Sequence, residues 1–114
     1  MNYDAQYTKA IIIKNKRIIK QIIVSEITHI ICESYICDIY TLTDKYTTTR
    51  LLKVLENELS KFNFIRIHNH ILINAKHINY IDKAKNVVIL HPNIELPFSV
   101  RRWKEIKSCL QKFD

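Results

Sequence analysis

The sequence predicts a mainly β domain that carries one amphipathic helix between its strands and a second helix at its C-terminus. Three observations predict it. Runs of β-branched residues bounded by polar turn residues recur from Ala10 to Thr49 and again from Phe64 to Phe98. Only two stretches, Arg50 to Phe62 and the residues after Ser99, change to helical spacing. Glycine is absent and prolines number two, so turns must come from Asn, Asp, Lys and Thr, and tight hairpins built on glycine are not expected. At 114 residues the chain fits one domain, and 47% hydrophobic with 25% charged residues is a globular composition.

In chain order, residues 1–8 read as a polar lead-in and residues 9–114 as the domain. From Lys9 to Lys20 five cations interleave with isoleucines, and Ile22-Ile23-Val24 follow. The turn-prone Lys14-Asn15-Lys16-Arg17 divides these into a hairpin. Its cations serve either to deter edge pairing or to touch phosphates. Two β-rich segments, Ile27 to Ser34 and Tyr35 to Leu42, come next in a locally acidic region that is a poor candidate for the main phosphate surface. Tyr46 to Thr49 reads as a short strand.

Leu51, Leu55, Leu59 and Phe62, widened by Leu52, form the apolar stripe of one helix. Thr48 or Thr49 can cap its start and Asn63 its end. Further strands fall at Ile78 to Ile81, Val87 to Leu90 and Ile94 to Phe98, with Pro97 indicating an edge position. Ser99 is a good N-cap for a last helix whose Trp103, Ile106, Leu110 and Phe113 share a face. Arg101 and Arg102 in its first turn oppose the helix dipole by roughly 0.3–1 kcal/mol each, a sign that an arriving phosphate reverses. The plainer role for Arg101 is an ion pair with Glu105.

The stretch Phe64 to Asn74 organises the rest. Ile65, Ile67, Ile71 and Ile73 share one parity, so on a continuous strand Asn69 would be a buried amide, costly by roughly 1–3 kcal/mol unless satisfied. The chain is therefore expected to turn or bulge around His68 to His70 and to present a polar cluster at a rigid strand end.

Eighteen Lys+Arg against eleven Asp+Glu give a net charge of +7, which favours a polyanionic partner. Cys32, Cys37 and Cys109 are odd in number and lack CxxC spacing, which suits a reducing cytoplasm; Cys32 and Cys37 read as small core residues. No signal peptide or membrane-spanning stretch is visible. His68 and His70, with His77 nearby, lack the Cys or carboxylate partners of a metal site, so no metal or other cofactor is expected. Without glycine there is no P-loop, dinucleotide fingerprint or nucleophile elbow, and enzyme activity and a small-molecule substrate are not expected. Arg66, His68, Asn69, His70, Asn74, Arg101 and Arg102 remain as residue types that read base edges and phosphates.

The segment Phe64-Ile65-Arg66-Ile67-His68-Asn69-His70-Ile71-Leu72-Ile73-Asn74 resembles the hallmark of LytTR-type DNA-binding domains, and Leu96-Pro97-Phe98-Ser99-Val100-Arg101-Arg102 resembles their closing strand-to-helix motif. The order of parts matches from about Lys9 onwards. The resemblance implies an elongated β domain that binds promoter duplex DNA through loops in successive grooves, commonly at paired direct repeats and with a homodimer forming on the DNA. By position, Asn69 and Arg101 resemble base-contacting residues, and Arg66, His68, Asn74 and Arg102 supporting or phosphate contacts. Two departures stand out. Ser34-Tyr35 joins two strands where the family often has a longer loop with a polar reader, leaving Tyr35 or Ser34 as a weak substitute. Asn69-His70 replaces a common Arg-Ser pair, which bears on the preferred DNA sequence.

Many relatives place the domain after a receiver domain, for which the residues before the first strand leave no room. The expectation is either a stand-alone regulator or an excised domain. The reading is thus a bacterial, cytoplasmic transcription regulator. Its rivals are a protein-interaction module that antagonises a related regulator and a basic RNA-binding domain, the latter disfavoured by the lack of an aromatic base-stacking platform.

Overall fold

The computed structural model describes residues 9–110, so the lead-in 1–8 and the placement of Phe113 lie outside the described residues. Strands β1 (Ala10–Lys14) and β2 (Ile19–Ile23) form a hairpin, followed by β3 (Ile27–Glu33), β4 (Ile36–Thr41) and β5 (Lys45–Thr48). Helix α1 (Leu52–Leu59) precedes β6 (Phe64–His68), β7 (Ile71–Asn74), β8 (Ile78–Asp82), β9 (Val87–Leu90), β10 (Ile94–Pro97) and α2 (Trp103–Leu110). All pairings among them are antiparallel.

A five-stranded sheet, ordered β5-β4-β3-β7-β6, lies between two hydrophobic layers. The period-2 alternation of its strands explains why. Ile30, Cys32, Cys37, Ile39 and Leu72 point to one side and pack with Ile11, Ile13 and Ile22 of the hairpin and with Leu52, Leu55 and Leu59 of α1. Ile65, Ile67, Ile71 and Ile73 point to the other and pack with Val88, Leu90 and Leu96 of the three-stranded sheet β10-β9-β8 and with Ile106 of α2. Pro97 lies in β10, an edge strand, where its missing N–H leaves no ladder bond unmade.

The turns are built without glycine. Asn15 Oδ1 accepts the N–H groups of Arg17 and Ile18 at the tip of the first hairpin. Ser34, Asn63 and Asn86 take positive φ (54°, 68° and 56°), Asn63 ending the helical segment in the left-handed region as the sequence predicts. The N-terminus of α1 departs from expectation. Leu51, not a threonine, holds the N-cap position without a side-chain bond, while the Thr48 hydroxyl accepts the Arg50 N–H one turn earlier. Leu51 consequently has extended backbone, points away from the stripe and is 54% exposed. Ser99 does precede the last helical segment, but only its carbonyl acts, accepting the Arg102 N–H; Val100–Arg102 form a 3-10 turn ahead of α2.

Cys32 and Cys37 are core residues, yet their reading as unbonded is corrected: they face one another on β3 and β4 and are joined by a disulfide. Cys109 is free. A buried polar group sits at the base of the same strands. His29 stacks on Tyr40 with 4.4 Å between ring centroids, and its Nδ1 lies 2.8 Å from the Thr28 hydroxyl. That hydroxyl spends its proton on the Tyr40 carbonyl, so Nδ1 donates to it. Burial lowers the His29 pKa to about 4.

Candidate nucleic-acid interface

Register places the polar turns at one end of the central sheet. β3 ends at Glu33 where β7 begins, with Ile31 opposite Ile71, so the Ser34-Tyr35 and Asn69-His70 turns are neighbours. The Cys32 N–H donates to the His70 carbonyl at 2.9 Å and ties the two together. Cys37 opposite Thr48 brings the end of β5 to the same side. Tyr35 is 77% exposed there.

The chain does turn at Asn69-His70, and it bulges as well. His68 pairs with Ile71 but Arg66 with Leu72, which leaves Ile67 as the extra residue of β6. β6 is an edge strand, so outward carbonyls are free of the ladder, and the Ser99 N–H takes that of Ile67 at 2.8 Å. This one bond pins the start of the C-terminal segment beside the Asn69 turn. Phe98 stacks on Trp103 at 5.6 Å between centroids and braces the same junction.

Arg66 shapes the turn from within. Its Nε donates to the His68 carbonyl (2.9 Å), Nη2 to the Asn69 carbonyl (2.5 Å) and Nη1 to Glu56 Oε1 on α1 (2.8 Å). His68 Nδ1 accepts the His70 N–H at 3.2 Å and closes the turn from the other side. The loop backbone is therefore fixed by side chains of β6 and α1, and the Asn69 and His70 side chains are left exposed.

Asn69 Oδ1 accepts from Arg101 Nη2 at 3.1 Å and from Arg102 Nη2 at 3.4 Å, across sequence separations of 32 and 33 residues. The two guanidinium groups dictate that oxygen faces them, so the Asn69 Nδ2 amide faces outward as a donor. Arg102 is more committed than Arg101. Its Nη1 lies 3.8 Å from Glu105 Oε2, and its Nε is shielded from solvent with no partner among the described residues. Thus Arg102, and not Arg101, takes the ion pair with Glu105.

Six of the seven residues singled out by sequence come together: Arg66, His68, Asn69, His70, Arg101 and Arg102. Asn74 does not, and its assignment to the contact set is corrected. It is 1% exposed at the opposite end of β7, where Nδ2 donates to the Ile27 carbonyl (2.9 Å) and Oδ1 accepts the Lys76 N–H (3.0 Å). Both halves of its amide are spent on fastening β7 to the start of β3. Sequence reasoning missed a flanking basic turn. Phe98 N–H donates to the Asn86 carbonyl, and Lys83 Nζ lies 5.9 Å from the Trp103 ring, which sets exposed Lys83 and Lys85 beside the start of α2. The only signal for it was a Lys-rich turn before Val87.

The profile of the LytTr DNA-binding domain matches residues 16–111. The chain belongs to the LytTR family. Among curated LytTR relatives, the transcriptional regulatory protein LytR of several Staphylococcus aureus strains is 33% identical over 78 residues, which is 66% of this chain. The match covers 32% of LytR, so the chain corresponds to about a third of that protein. Among solved structures, the LytTr DNA-binding domain of a Bacillus cereus response regulator superposes with a TM-score of 0.77 at 18% identity, over 89% of this chain and 95% of that one. The LytTR fold is therefore shared while most side chains differ. No helix among the described residues is long and apolar enough to cross a membrane.

Proposed function

We propose that this LytTR domain binds duplex DNA sequence-specifically and acts as a bacterial transcription regulator in the cytoplasm, without enzymatic chemistry. The observation that carries the reading is the convergence of Asn69, Arg101 and Arg102 on one exposed sheet end. A rigid turn there presents an outward amide donor flanked by two guanidinium groups. Minor-groove edges offer acceptors to such a donor, while the guanidinium groups suit guanine edges or phosphates. His70 and Tyr35 border the same end and His68 holds the turn. The family supports DNA as the ligand, since relatives are named transcriptional regulators and DNA-binding domains. Paired direct repeats, with two copies meeting on the DNA, are the target arrangement that the family resemblance implies.

The test is a binding titration with a duplex selected from random sequence and with a scrambled duplex, at several salt concentrations. The wild type is expected to prefer the selected duplex and to lose affinity on both as salt rises. Asn69→Ala should lose roughly 1–3 kcal/mol on the selected duplex and little on the scrambled one. Equal losses on both would remove Asn69 from base reading. Absence of duplex binding at low salt would overturn the proposal and favour an interaction module on the same fold.

A further inference from the structure

The first hairpin carries the densest unopposed charge in the described chain. From Lys9 to Val24 there are five cations and no acidic residue. Lys14, Lys16 and Arg17 are all exposed at its tip, and none takes part in an ion pair among the described residues. Lys20, further down β2, is by contrast placed over the Tyr46 ring at 5.4 Å.

Contacts along the hairpin fix its direction. At its base, Ile23 and Glu26 line a cleft with Thr41, Thr43 and Asp44, the sheet end remote from Asn69. Towards the tip, Lys20, level with Ile13, lies on Tyr46, and Lys14, the last residue of β1, borders a cleft with Thr48 and Thr49. Lower on β1, Arg50 Nη1 donates to the Ile12 carbonyl at 3.3 Å. Lys14 and Ile19 close the strand pair, with Lys16 and Arg17 in the turn beyond them, and Thr48 ends β5. The tip therefore reaches the sheet end that bears the Ser34-Tyr35 and Asn69-His70 turns.

We infer that the β1–β2 hairpin tip is a second, sequence-indifferent DNA contact, with Lys14, Lys16 and Arg17 binding phosphodiester oxygens beside the groove-reading turns. The inference rests on the DNA-binding reading and extends it. Glu58 borders the Lys14 cleft but is paired with Arg50, so the two ammonium groups and the arginine fork, outside any ion pair among the described residues, are suited to phosphate and carry no base information. Each phosphate neutralised adds about 0.9 to the slope of log affinity against log salt. Three such contacts contribute about 2.7, which is about a 40-fold difference in salt sensitivity between 50 and 200 mM.

The experiment compares the full chain with two triple variants of equal charge change. One is Lys14→Gln/Lys16→Gln/Arg17→Gln. The control is Lys9→Gln/Lys61→Gln/Lys76→Gln, whose side chains border one cleft at the remote end. On a selected and a scrambled duplex, the tip variant is expected to reduce the slope by about 2–3, with the ratio between the two duplexes unchanged within twofold. The control should change the slope by less than about 1. Arg17→Gln alone, a single exposed turn side chain, should reduce it by about 0.9 and guards against a folding defect in the triple. An unchanged slope in the tip variant would overturn the inference, as would equal effects from both triples. An unchanged slope with new aggregation would assign the cations to protecting the free edges of the hairpin and would also overturn it. A wild type that binds both duplexes equally would sink base reading while the slope still reports on the tip. A wild type that binds neither would sink both.

Discussion

Replacing Arg66 by Gln separates a residue that positions the Asn69 turn from one that touches DNA. The Arg66 side chain is 17% exposed and spends all three guanidinium nitrogens inside the protein, on Glu56 and on the carbonyls of His68 and Asn69. The pair with Glu56, itself 31% exposed, is worth up to about 1 kcal/mol after screening. Each charge-assisted bond to a carbonyl contributes about 1 kcal/mol net at a half-buried site. Together these give roughly 2–3 kcal/mol, or a fall in Tm of about 10–15 °C for a domain of this size. Thermal unfolding followed by circular dichroism measures that loss. Duplex titration of the folded variant at low temperature should show weaker discrimination between selected and scrambled duplexes, because the turn that carries Asn69 has lost its brace. The slope against salt should not change. A Tm within about 2 °C of wild type, accompanied by a slope smaller by about 0.9, would refute this reasoning and make Arg66 a phosphate contact.

Asn74→Ala leaves the Ile27 carbonyl and Lys76 N–H without their partner, so stability should fall by about 1–3 kcal/mol in denaturant titration while duplex discrimination is retained. A selective loss of discrimination would return Asn74 to the contact set. His29 gives a pH dependence of defined sign. Its folded pKa is lowered to about 4 from 6.5, so the unfolded state takes up the proton first and stability falls as pH drops from about 6.5 towards 4. The loss approaches roughly 2–3 kcal/mol at the lower limit, and His29→Gln should flatten that part of the pH–stability curve. Leu55→Ala, at a fully buried position between α1 and the central sheet, should cost about 2–5 kcal/mol without altering the salt slope of the remaining folded protein.

Several elements were legible because their burial is periodic. Alternation along Ile36 to Tyr40 and the leucine spacing after Leu52 record which side of each element faces a core, and such a record is local. The turn at Asn69-His70 was legible for a related reason: an amide on the apolar parity of Ile65, Ile67, Ile71 and Ile73 is tolerable only if the chain leaves the strand there. Misreadings arose where one residue type fits two places. A threonine before a helix can cap it or, as Thr48 does, bond one turn earlier. An asparagine at a strand end can face solvent, as Asn69 does, or fasten two strands, as Asn74 does.

By itself, then, the sequence determined a β-rich domain with two helices, a polar break in its central hairpin and a basic surface, since each follows from side-chain chemistry read along a few neighbouring residues. Only the tertiary structure decided which side chains meet. Register brought Cys32 against Cys37, and the bond from Ser99 to the bulged Ile67 carried Arg101 to Asn69. Those partners lie up to 32 residues apart, and pairing across such distances depends on how sheets stack and strands align.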